Sequence, residues 1–201
     1  MHISEGVLPG WMLISGYITT GIGTFIGLKK LNDKKIVITA LLSAAFFVAS
    51  LIHVPIGPSS VHLILNGLAG LLLGWIVFPA FLIGLFLQAI LFQFGGIIVL
   101  GVNTFNVSFP ALISFYLCKP LLKKGSQLSL IISGILASFI SILGAGILVA
   151  LELVFTNQAF IESAKLVILV HIPVAIIESI ITSFVLVYVN KVSPEILEVE
   201  K

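Results

Sequence analysis

The chain opens Met1-His2-Ile3-Ser4-Glu5-Gly6, a start whose covalent structure can chelate a metal. A free α-amine on Met1, the amide nitrogen of His2 and Nδ1 of its imidazole can close around one ion. The amine and the amide nitrogen share a five-membered ring, and the amide nitrogen and Nδ1 share a six-membered one. These nitrogens then lie nearly in one plane, and a fourth donor must come from elsewhere in the fold. Tetragonal nitrogen coordination suits Ni(II) or Cu(II), with Co(II) a neighbour in affinity order. The other histidines are His53, His62 and His171. His62 is the preferred fourth nitrogen, because Asn66 follows it at helical spacing, one turn further along the same face. His53 fits better as an interfacial residue beside a Pro-rich turn.

The elements that must position these residues are apolar. Hydrophobic residues make up 59% of the chain and charged residues 9%, where a soluble domain carries about 25% charged. The composition is that of an all-α polytopic membrane protein, its spans about 20 residues each. A net charge of +2 with no clustering gives no footprint for nucleic acid. The single Cys118 excludes an internal disulfide and any CxxC motif. With Glu5 as the first charge there is no basic n-region of a cleavable leader, so the amine is expected to stay.

Apolar runs cover 13–28 and 36–54, the second stopped by Pro55-Ile56-Gly57-Pro58-Ser59-Ser60. The stretch 61–100 is too long for one span and must turn, with Phe78-Pro79 the expected place. The segment Gly101-Val102-Asn103-Thr104-Phe105-Asn106 reads as a polar break before a short fifth run, 107–118. Runs at 127–154 and 165–189 complete about seven spans. Placing the N-terminus outside puts Lys29, Lys30, Lys34, Lys35, Lys119, Lys123, Lys124 and Lys191 on the cytoplasmic side, the usual bias. The chain divides into an N-terminal metal-binding segment (1–10), a helix bundle (11–190) and a cytoplasmic tail (191–201).

All the histidines then fall in the outer half of the membrane. Polar side chains at that depth face a bundle interior or cavity. Ser59, Ser60, Asn66, Gln93, Asn103 and His171 are therefore candidates for orienting the imidazoles from behind. Glu178 shares a helix face with His171, and is either a functional intramembrane carboxyl or a hydrogen-bonded packing residue. Glu152 and Glu162 read as solvated residues at the outer boundary. Small-residue pairs such as Gly23/Gly27 and Gly70/Gly74, and the stripe Gly134, Ser138, Ser141 and Ala145, predict close helix contacts.

With those residues in view, the chain resembles the CbiM/NikM family. These proteins are the substrate-capturing membrane (S) components of energy-coupling-factor cobalt and nickel transporters. The start Met1 to Pro9, the stretch Leu51 to Gly67, Gln93-Phe-Gly-Gly96, Gly101 to Asn106 and His171 to Glu178 carry the resemblance, which spans nearly the whole chain. It implies a seven-helix S component in the cell membrane whose metal is held by the N-terminal amine, the amide and imidazole of His2, and a further histidine, mapped onto His62. It also implies partners: a transmembrane coupling protein, two cytoplasmic ATPase subunits and often a small auxiliary membrane protein, expected here as a separate chain.

The function expected is capture of Co2+ or Ni2+ as transported ligand, with no cofactor and no enzymatic activity in this chain. It contains no G-x-x-x-x-G-K-[ST] loop, so ATP must be hydrolysed on a partner. The planar nitrogen set favours nickel on physical grounds, while the overall match is nearer the cobalt-named branch. The alternative is a stand-alone secondary carrier that uses His171 and Glu178 as a proton relay. No inverted repeat supports it. An intramembrane metallohydrolase would need H-E-x-x-H or a nucleophile motif, and neither occurs.

Overall fold

The structure, a computed structural model, describes residues 2–51 and 53–197. The expected ligand Met1 and the last residues of the expected tail (198–201) lie outside the described residues. Helices α1 (Gly10–Lys30), α2 (Asp33–Ala49), α3 (Asn66–Leu73), α4 (Val77–Phe92), α5 (Leu100–Lys124), α6 (Gln127–Thr156) and α7 (Ile161–Val192) form the bundle. Local chemistry sets their ends. Asn32 accepts a hydrogen bond from the Lys35 amide (3.1 Å) to start α2, and Ser126 does the same for α6. Gly125, with φ +64°, stops α5. Among the described residues, five helical stretches are long and apolar enough to cross a membrane. The 17-residue α2 is slightly shorter.

The expected turn in 61–100 exists, but it lies at Gly74–Ile76, before Phe78-Pro79. Gly74 has φ +56° and ψ −124°, a conformation outside the helical region that glycine adopts cheaply. Before it, α3 runs beside α5 in the same direction. Asn66 Nδ2 donates to Val107 O (3.3 Å), Gly70 lies on Ala111, and Gly74 lies on Phe115. After it, α4 runs with α2. Ser43 Oγ donates to Ala80 O (2.8 Å), Gly84 lies on Phe46, and Gln88 Nε2 donates to Ser50 Oγ (2.5 Å). The apolar stretch Asn66–Phe92 is therefore a half-length helix followed by a returning one. Pro79 sits in the first turn of α4, where a missing N–H costs nothing.

A second correction concerns α5. The polar break expected at 101–106 is helical, and Asn103 and Asn106 are buried inside the first turns of a 25-residue helix. Their amides find partners on neighbouring elements, so they need no loop. The real break precedes them, where Gln93 (φ +58°), Gly95 and Gly96 all take positive φ. Close approach elsewhere follows the small residues. A Cβ on Gly70 would meet the Ala111 carbonyl oxygen at 2.3 Å, and one on Gly134 would meet the Ser183 backbone at 2.7 Å. Helices α6 and α7 lie antiparallel along that seam, with Ser138 Oγ donating to Thr182 Oγ1 (3.1 Å).

The all-α expectation misses a small sheet. Residues β2 (His53–Ile56) and β3 (Ser59–His62) form a hairpin whose tip is Gly57-Pro58, and β1 (His2–Ile3) adds to its other edge. The order is β1-β3-β2, all antiparallel, with His2 opposite Ser60, Ile3 opposite Ser59 and His53 opposite His62. The chain start is thus a strand of the fold.

Candidate metal centre

The sheet register carries His2 to His62. Their ring centroids are 4.8 Å apart with planes at 33°, and each residue is only 3% exposed. Phe94 stacks near His2 (6.2 Å), and Phe46 of α2 lies 6.4 Å from the His62 ring. Two imidazoles therefore sit in an apolar pocket at the end of the bundle where the hairpin, the 93–99 loop and the chain start meet.

The N-terminal segment is held by backbone contacts on both sides. Asn103 grips Ile3 twice: Ile3 N–H donates to Asn103 Oδ1 (2.9 Å), and Asn103 Nδ2 donates to Ile3 O (3.1 Å). Ser4 N–H donates to Pro58 O, and Glu5 N–H donates to Gly95 O, both at 3.1 Å. The Glu5 carboxylate accepts from Ile98 N–H (2.8 Å) and lies against Gly96, where a Cβ would overlap it. Gly96 has φ +122°, so both conformation and space call for glycine.

His62 is set up as a donor. Its Nδ1 lies 2.7 Å from Leu63 O, which fixes the proton on that nitrogen. Its Nε2 is buried and has no hydrogen-bond partner among the described residues. A neutral imidazole with one free, buried lone pair is the form a metal takes.

The remaining expected residues distribute as follows. Ser59 is buried with Oγ unpartnered among the described residues, and Ser60 is half-buried opposite His2. Asn66 does not share a helix face with His62. The histidine is on a strand, and Leu65 (φ +56°) turns the chain between them. The Asn66 amide instead fastens α3 to Val107 O and Ser141 O (3.1 Å). Gln93 is exposed at the end of α4, lining an open groove with Ser4 and Glu5. Asn103 holds the Ile3 backbone. His171 is fully buried against Gly146, its Nδ1 2.5 Å from Val167 O and its Nε2 unpartnered among the described residues. Glu178 is buried, its oxygens accepting from the amides of Ile64 and Leu65. Glu152, expected to be solvated, is only partly exposed and accepts from Asn106 Nδ2 (2.6 Å).

Phe94, Phe46 and Glu5 were missed as parts of this centre. The pair Gly95-Gly96 directly after Phe94 was the available signal that a chain passes close by. Among the described residues no three His, Cys, Asp or Glu side chains converge as a metal cluster.

The long apolar helices make this a multi-pass membrane protein, and its class is that of metal-transport components. A family model described as the cobalt uptake substrate-specific transmembrane region matches residues 2–196, and the chain belongs to that family, CbiM. It is 45% identical over 199 residues to a Haemophilus influenzae protein assigned provisionally to metal transport, covering 98% of this chain and 97% of that one. It is 29% identical over 199 residues to the cobalt transport protein CbiM of Anoxybacillus flavithermus, covering 90% of this chain and 79% of that one. The crystal structure of a truncated transition metal transporter superimposes with a TM-score of 0.79 at 26% identity, covering 95% of this chain and 99% of that one.

Proposed function

We propose that this chain captures Co2+, with Ni2+ as the competing substrate, for an ATP-driven importer of the energy-coupling-factor type. The ligands would be the Met1 α-amine, the amide nitrogen and Nδ1 of His2, and Nε2 of His62. The observation that carries the reading is the 4.8 Å approach of the His2 and His62 rings, reached only because the chain start pairs with β3. Two imidazoles fall short of a metal site. The covalent neighbours of the His2 ring, an amide and an amine, are the nearest means of completing it.

Under this proposal the N-terminus lies outside and the C-terminus in the cytoplasm. The path then makes about seven passes, the third built from the hairpin and the half-helix α3. Supporting this orientation, the α1–α2 link and the end of α5 carry the clustered lysines and the end of α7 carries Lys191, while Lys165 lies near the start of α7. Metal would bind as protons leave the amine, the amide and the imidazoles. Release would follow when a transmembrane coupling protein, driven by two cytoplasmic ATPase subunits, turns or opens the site; a small auxiliary membrane protein would assist. The lipid bilayer covers the apolar helix faces.

The test is calorimetric titration of the purified protein with Co2+ and Ni2+. One preparation has its Met1 α-amine acetylated, and the other is His62→Ala. Each is expected to weaken binding at least tenfold, by loss of one ligand. Unchanged affinity in both overturns the proposal.

A further inference from the structure

The peptide group that faces the His62 ring is itself held from helix α7. Glu178, in the middle of α7, is fully buried. Its Oε1 accepts from the amide of Ile64, and its Oε2 accepts from the amide of Leu65 at 2.9 Å. The Ile64 N–H belongs to the same peptide group as the Leu63 carbonyl, and that carbonyl receives the His62 Nδ1 proton at 2.7 Å. A peptide group is planar and rigid, its N–H and C=O pointing in opposite directions. One unbroken line therefore runs from the carboxylate through the 63–64 peptide to the imidazole.

Metal-ligating histidines commonly lean on a carboxylate, which fixes their tautomer and raises their basicity. Here a peptide stands between the two. Hydrogen bonds in series polarise one another, so a carboxylate on the amide strengthens the carbonyl as an acceptor for the ring. The second bond, to Leu65, holds the left-handed residue at which strand β3 passes into α3. Without it the junction would be free to rotate the 63–64 peptide away from the ring.

We propose that Glu178 is a positioning residue for metal capture. It acts through the Leu63–Ile64 peptide, keeping the His62 proton on Nδ1 and Nε2 turned into the site. The proposal rests on the reading of His62 as a ligand.

The test is a double-mutant cycle in Co2+ affinity with Glu178→Gln, His62→Ala and the combined variant, together with 15N NMR of histidine-labelled, metal-free protein. A glutamine keeps the size but offers one acceptor oxygen and a donor where a second acceptor is needed. Glu178→Gln is expected to weaken binding at least tenfold and to remove the single Nδ1–H tautomer of His62. In the His62→Ala background it is expected to add nothing. If His62→Ala weakens binding while Glu178→Gln does not, or if the two losses add, the role of Glu178 is overturned and the site reading stands. If His62→Ala itself changes nothing, the site reading fails first. Should Glu178→Gln not fold, Glu178→Asp replaces it in the cycle: a loss that vanishes in the His62→Ala background supports the proposal, and no loss or an additive one overturns it.

Discussion

Removing the Asn103 side chain should loosen the chain start without touching any proposed ligand. Asn103 makes two hydrogen bonds to the Ile3 backbone, at 2.9 and 3.1 Å, and Ile3 is fully buried. A neutral hydrogen bond contributes roughly 0.5–1.5 kcal/mol net, so the pair holds the N-terminal strand docked by about 2 kcal/mol. If binding requires the docked strand, the apparent dissociation constant rises as the inverse of the docked fraction, and about 2 kcal/mol corresponds to a rise of up to roughly 30-fold. Calorimetry of Asn103→Ala with Co2+ should show weakening of that order, with stoichiometry unchanged. Asn103→Asp should also bind poorly, because its second oxygen would face the Ile3 carbonyl. Wild-type affinity in Asn103→Ala would show that docking of β1 is not coupled to capture.

Two further outcomes follow from the same geometry. Gly96→Ala places a methyl on the Glu5 carboxylate at φ +122°, so the N-terminal segment should undock; Co2+ titration should show several-fold weaker binding in a protein that still folds. Gly134→Val would force a side chain into the Ser183 backbone across the α6–α7 seam; overpacking of this kind costs about 1–3 kcal/mol or more, read as a lowered melting temperature in detergent.

Much of this centre was legible from residue order because it rests on covalent proximity and composition. His2 adjoins the amine wherever the chain folds, and a 59% hydrophobic chain has few places for polar groups. The small sheet was not legible. Pro55, Gly57 and Pro58 read as a loop, whereas the flanking segments pair with each other as a hairpin and residues 2–3 add to its edge. Asn103 and Asn106 read as a break because an unpaired amide in a membrane helix is costly. Their partners, Ile3 and Glu152, lie 100 and 46 residues away. Pro79 drew the predicted turn to itself, although a proline fits the first turn of a helix and the reversal needs the positive φ of Gly74. Glu178 was recognised as either functional or structural, and its link to His62 passes through a peptide group that no side-chain pattern reveals.

The most direct measurement is X-ray absorption at the metal edge of the Co2+- and Ni2+-loaded protein. The account predicts a shell dominated by nitrogen, with outer-shell scattering from two imidazoles. A shell of oxygens and water with one imidazole or none would contradict it.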